Sequence, residues 1–189
     1  MIHTIIWRRI DKPGHEYCRL VESPTGARMS GIALLSHEKV PTYIGYDVEC
    51  DVMWHTMRCK IKASIGEHRM DLDIRRQGKR WTTNGREATG VEGAEDIDLG
   101  FSPATNMLPI RRLALKVGES AQVSAAWVRF PDFTLELLEQ TYTRPGENGY
   151  RYESGGGKFR CDLKVDASGL VLDYPGLWSA ESHSVDELK

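Results

Sequence analysis

The chain has 189 residues, of which 40% are hydrophobic and 28% charged, with a net charge of -2. That balance supports a packed core and excludes a disordered chain. The lack of a basic excess excludes a nucleic-acid footprint, and no apolar run approaches the ~18 residues of a membrane-spanning helix. The opening MIHTIIWRRIDKPG lacks the basic flank, long apolar run and small-residue site of an export signal, so a cytoplasmic location is expected. Four cysteines, Cys18, Cys50, Cys59 and Cys161, form no C-x-x-C pair and read as buried, reduced thiols.

In chain order, Ile2 to Arg9 reads as a strand. Glu16 to Val21 and Arg28 to Leu35 then form a hairpin around Ser23-Pro24-Thr25-Gly26. Ile44, Tyr46, Val48, Cys50, Val52 and Trp54 alternate with a mostly polar set, the period of a half-buried strand. From Met57 the apolar phase flips to Met57, Cys59, Ile61, Ala63 and Ile65. No Gly, Asn or Pro marks a turn there, so one long strand bent by a bulge near His55-Thr56 is expected. Met70, Leu72 and Ile74 define the next strand, and Asn84-Gly85 a hairpin turn. Val123, Ala125 and Trp127 mark a further strand. Phe133 to Tyr142 changes phase at Leu137-Leu138, which suggests a second bulge. Phe159 to Val165 and Leu170 to Asp173 follow, and Trp178 is expected to end the ordered region.

The spacing of Met70, Leu72, Ile74 and Gly78 recurs as Cys161, Leu163, Val165 and Gly169, an echo that two similar halves or shared hairpin grammar would explain. The expected fold is mainly β, an antiparallel sheet curled toward a barrel, with one short helix or turn near 108-114. One domain over residues 1-178 with a frayed tail over 179-189 completes this reading.

The stretch DIDLGFSPATNMLPIRRLAL, Asp96 to Leu115, departs from ordinary patterning. Asp96 and Asp98 leave one face of a short strand. A proline-bounded loop carries Thr105 and Asn106, Pro109 suits the first turn of a helix, and Arg111 and Arg112 follow. Such a cluster suits either a structural corner or a site carried on rigid strands. The expected geometry brings Asp96, Asp98, Asn106, Arg111 and Arg112 together at one end of the barrel. The six histidines are scattered, with no two at ligand spacing on one strand, so no metal ligands and no cofactor are read. No triad or catalytic dyad is legible.

Several stretches together resemble a bacterial family labelled putative glycolipid-binding. They are the Asp96-Leu99 and Ser102-Leu113 runs, Trp7, the Tyr46-Arg58 segment with Cys50-Asp51 and Trp54, and Gly78 to Trp81. Gln140-x-Tyr142, Tyr150-Arg151-Tyr152 and Leu170 to Gly176 complete the set. Ala104 and Met107 stand where that pattern has Phe and Thr. The resemblance implies a β-rich, barrel-like fold similar to carriers of lipoproteins and glycolipids in bacterial envelopes, and a lipid or glycolipid partner. The ligand contacts expected from the matched motifs and aromatic supply are Asp96, Asp98, Thr105, Asn106, Arg111, Arg112, Trp54, Trp81, Tyr142 and Tyr152. The alternatives are a metal-dependent hydrolase or transferase using Asp96 and Asp98, and a scaffold subunit. The sequence assigns no oligomeric state.

Overall fold

Two consecutive meanders, joined edge to edge, make up the architecture. The computed structural model describes residues 1-187. The first meander comprises β1 (Ile2–Arg9), β2 (Gly14–Ser23), β3 (Gly26–His37), β4 (Val40–Cys50), β5 (Thr56–Ile65), β6 (His68–Gln77), β7 (Arg80–Thr83) and β8 (Arg86–Ala88). A 3-10 turn at Ala104–Asn106 and helix α1 (Met107–Leu113) interrupt the second. Its strands are β9 (Asp96–Leu99), β10 (Ser120–Arg129), β11 (Thr134–Gly146), β12 (Gly149–Ser154), β13 (Phe159–Val165), β14 (Val171–Tyr174) and β15 (Trp178–Asp186). β1 pairs antiparallel with β15, so all fifteen strands form one sheet that starts at β8 and ends at β9.

The halves share one element plan. At the shift that carries Met70 onto Cys161, strands β3 to β8 fall on β10 to β15, each start within three residues. β9 then takes the place of β1, and the helical segment takes the place of β2. This explains the one departure from an antiparallel sheet. β1 and β3 run parallel on either side of β2. With β2 replaced by a helix, the equivalent strands β9 and β10 meet directly and pair in parallel.

The sheet curls but its end strands do not ladder together. The segment before β9 bridges the gap instead. Thr56 N–H donates to Glu95 O at 3.2 Å, and Ile97 N–H donates to Thr56 Oγ1 at 3.0 Å. Trp81 Nε1 and Arg76 Nε both donate to Ala94 O at 3.1 Å. Inside the curl the inward phases of both halves merge into one hydrophobic cluster that includes Trp7, Ile44, Ile61, Leu99 and Val128. Trp7 is fully buried and its indole N–H is satisfied by Val171 O at 2.6 Å, which ties the first strand to the second half.

Three sequence expectations change. The phase flip after Trp54 is a hairpin between β4 and β5, not one bent strand. Asp51 closes it without Gly, Asn or Pro: its Oδ1 accepts from the backbone N–H groups of Met53 and His55, both at 2.9 Å. Trp54 takes the left-handed conformation, φ 68°, that a glycine would ordinarily supply. The phase slip at Leu137-Leu138 is not a bulge either. β11 keeps one register with β10 from Thr134 to Thr143, and Leu137 simply faces solvent. Of the tail expected to fray over 179-189, residues 179-186 lie in a strand, and residues 188-189 lie outside those described. β15 runs to Asp186 despite its polar sequence, because the open edge of β1 supplies its hydrogen bonds and cross-strand partners such as Thr4 with Ser184, 2.7 Å apart.

Candidate functional site

The Asp96-Leu115 stretch forms the inner wall of the second half. Asp96 and Asp98 project from β9 toward different partners. Arg112, in the last turn of α1, holds Asp96 with a fork of two bonds, Nε to Oδ1 at 3.2 Å and Nη2 to Oδ2 at 2.6 Å. Its remaining nitrogen meets Glu95 at 2.7 Å. Burial pushes the Asp96 carboxyl up and the guanidinium opposes that rise. Burial alone would lower Arg112, but the two carboxylates outweigh it and hold the group above its usual value. Two parallel N–H···O bonds are the geometry of an ionised pair, and we take the pair as charged.

Asp98 keeps some exposure at the residue level, yet its carboxyl lies in low-dielectric surroundings. Burial pushes it up to about 6, Gln140 Nε2 opposes this by donating to Oδ2 at 2.5 Å, and the Asp96 charge adds to the rise. Gln140 also reaches Tyr152 Oη at 3.0 Å. Asn106 Nδ2 donates to the buried Tyr142 hydroxyl at 3.0 Å, and Thr105 Oγ1 accepts the Leu99 N–H at 3.0 Å. Trp81 is buried against the seam. These residues therefore lie inside the wall, bonded to one another or to backbone.

Of the ten sequence-nominated residues, Trp54 and Arg111 line a cleft. The Arg111 guanidinium stands 4.6 Å from the Trp54 ring centre and pairs with Glu22 at 2.5 Å. Together with Arg144, Tyr150, Asp166 and Ser168 they line an open cleft of about 350 Å³. Arg111 thus leaves the neighbourhood of Asp96 and Asp98, and the expected single cluster of five divides. Asp96 with Arg112, Asp98 with Gln140, Asn106 with Tyr142, and Arg111 with Glu22 form separate sets.

The outer face of β1 to β4 carries a feature the sequence reading passed over. Cross-strand register places Ile6 opposite Tyr17, Tyr17 opposite Ile32, and Ile32 opposite Gly45. In the next row Leu34 lies opposite Tyr43. Ile6, Tyr17, Ile32, Leu34 and Tyr43 are all exposed, Leu34 by 57%. Two adjoining grooves of about 460 and 560 Å³ share Tyr43. Gly45 lets the Tyr43 side chain lie along the sheet, its hydroxyl 2.8 Å from where a Cβ would stand. Lys60 and Lys62 edge one groove and Lys39 the other. The signal was available in the sequence. Gly31-Ile32-Ala33-Leu34-Leu35 is apolar in both phases, so the outward phase of β3 is apolar too.

A family model described as "Putative glycolipid-binding" matches residues 4-180. The chain belongs to that family. It is similar to the crystal structure of a DUF1089 family protein from Pseudomonas aeruginosa, at 30% identity and a TM-score of 0.76, covering 87% of this chain and 91% of the other. It also shares its fold with a beta-barrel-like protein of the domain of unknown function DUF1849 from Brucella abortus. That match has 11% identity and a TM-score of 0.58, over 98% of this chain and 96% of that one. No curated protein matches. No helix among the described residues is long and apolar enough to cross a membrane.

Proposed function

We propose that this protein is a non-catalytic binder of an amphipathic lipid, with a sugar-bearing head group as the preferred class. The lipid lies against the curled sheet rather than inside it. The carrying observation is the exposed apolar row Tyr17–Ile32 with Leu34–Tyr43 on the outside of β2 to β4. A contiguous apolar strip rimmed by polar groups marks a binding region. The interior supports the same choice, since the inward side chains there pack into a single core. An acyl chain fits the groove floor. Lys60, Lys62 and Asp47 at its edge offer donors and acceptors to a polar head group. The family description supports the ligand class.

In this reading Asp96, Asp98, Thr105, Asn106, Arg112, Trp81, Tyr142 and Tyr152 shape the wall, and Trp54 and Arg111 belong to the separate rim cleft. The hydrolase or transferase alternative is less well supported by the geometry, because Arg112 already neutralises Asp96 and Asp98 is held by Gln140.

Native mass spectrometry of protein purified from its host, followed by lipid extraction, tests the proposal. The expected result is a stoichiometric amphiphile that dissociates on delipidation. A protein that carries none and also ignores added glycolipid would overturn it. A stable dimer in solution that buries Ile32 would assign the strip to self-association instead.

A further inference from the structure

Strand pairing between the two ends of the chain brings together a set of donors that no local spacing shows. Ile5 lies opposite His183, and His3 opposite Val185, on the β1–β15 ladder. His3 and His183 are therefore diagonal neighbours on one face of the sheet. The turn after β13 brings Asp166 to the same place. One ligand atom from each of His3, Asp166 and His183 lies within 4.8 Å of the other two.

His3 is only 3% exposed, yet neither imidazole nitrogen has a hydrogen-bond partner. A buried imidazole without partners is costly, so this site calls for an occupant. Glu22 Oε1 lies at ion-pair distance, 3.3 Å from His3 Nε2, and makes no hydrogen bond of its own. Asp166 is built as an oriented ligand. Its Oδ1 accepts three bonds, from Ser168 N–H at 2.9 Å, Ser168 Oγ at 2.7 Å and Leu170 N–H at 2.9 Å. Oδ2 is left facing His183 Nε2 at 3.0 Å. Such fixing of a carboxylate by outer hydrogen bonds is how ligands are held in metal sites.

We propose that His3, His183 and Asp166 bind a divalent transition-metal ion of the zinc class. Two imidazoles and one carboxylate are a donor set such ions favour over magnesium or calcium, which take oxygen ligands. A tetrahedral ion with bonds of about 2.0 Å spaces its donors roughly 3.3 Å apart, so donors that now lie within 4.8 Å of one another would draw closer on binding. Glu22 supplies the carboxylate neighbour that metal-bound imidazoles commonly keep. The side chain of His183 is 26% exposed, giving the ion a path from solvent. Asp166 also lines the rim cleft with Arg111 and Trp54, so the ion stands at the wall of that cleft. Both histidines fall outside residues 4-180, the segment the family model matches. The site is independent of the lipid groove.

The test uses the full chain, stripped with a chelator and titrated with zinc chloride by calorimetry and with cobalt chloride by visible absorption. His183→Ala is the informative variant because its side chain is partly exposed and its loss leaves the core intact, which circular dichroism checks. His55→Ala, which removes a surface imidazole beside Asp51 and Glu95, is the control. The expected result is one zinc per wild-type chain. His183→Ala weakens it at least tenfold, His55→Ala leaves it unchanged, and cobalt gives ligand-field bands in the wild type that His183→Ala loses. A wild type that binds no zinc below about 100 µM, or a His183→Ala variant within about tenfold of wild-type affinity, overturns the proposal.

Discussion

Arg112 reaches back sixteen residues to hold Asp96 in a two-bond fork, fastening α1 to the edge strand β9. Both side chains are largely buried, at 10% and 2% exposure. Asp96→Ala would leave Arg112 paired with Glu95, whereas removing the guanidinium strands the buried Asp96 charge, so Arg112→Ala is expected to cost about 3–5 kcal/mol in urea denaturation. Asp98→Ala removes only an acceptor from Gln140, which keeps Tyr152, and is expected to cost about 1 kcal/mol. Equal costs for the two would show that Asp96 and Arg112 do not act as a buried pair.

Glu16 gives stability a pH dependence. It is fully buried on β2, and its Oε1 accepts from Tyr46 Oη and Ser102 Oγ, each at 2.5 Å. Burial outweighs both bonds and pushes the carboxyl up to about 7. In the unfolded chain a glutamate titrates near 4.3. Below that value both states hold the proton and the full stability is present. As pH rises the unfolded chain releases its proton first, so stability falls until the folded carboxyl ionises near 7, by roughly 4 kcal/mol. Glu16→Gln should flatten this fall in denaturation curves taken between pH 4 and 8. A wild type whose stability rises over that range would contradict the assignment.

The Trp54 backbone supplies a clean comparison. Its φ of 68° favours glycine, while its ring carries Arg111. Trp54→Ala loses the ring and keeps the strain, whereas Trp54→Gly loses the ring and relieves it. Thermal melts should therefore rank Gly above Ala by about 1 kcal/mol. The reverse order would mean that the turn takes another conformation in solution.

All four cysteines are free and buried. Burial pushes Cys50 to about 12 and Cys161 to about 11, and raises Cys18 and Cys59 further. The native protein should react slowly with a thiol reagent, and all four thiols should appear on unfolding. Rapid labelling of Cys161 in the native state would show that β13 opens.

Much of the fold was legible because inward phases of period two are strong signals. Ile44 to Cys50 and Phe159 to Val165 read directly as strands. The Asp51–His55 turn was hidden because a carboxylate and a strained tryptophan replaced the usual turn residues. β15 was hidden because it is held by an edge rather than by apolar alternation. The parallel β9–β10 pair depends on which element replaces β2, and that is a property of topology. The site was less legible still. The sequence concentrates polar groups in Asp96 to Arg112, but burial turns most of them into wall. The exposed Tyr17, Ile32, Leu34 and Tyr43 sit on phases normally given to polar residues, and their adjacency exists only across strands. The pairing of His3 with His183 likewise needs the β1–β15 ladder.

The lipid is proposed to bind on the outer strip. Octyl glucoside, kept below its micelle concentration, serves as a sugar-headed probe in NMR titrations of wild-type protein and of Ile32→Lys. Ile32 is 43% exposed, so the change should leave stability within about 0.5 kcal/mol. Placing a charge on the strip should weaken binding by about tenfold or more, since burying an apolar side chain of this size is worth roughly 1.5–3 kcal/mol. Shifts at Tyr17, Leu34 and Tyr43 are expected in the wild type and should disappear in Ile32→Lys. Undiminished binding in Ile32→Lys, with shifts elsewhere, would contradict the proposal.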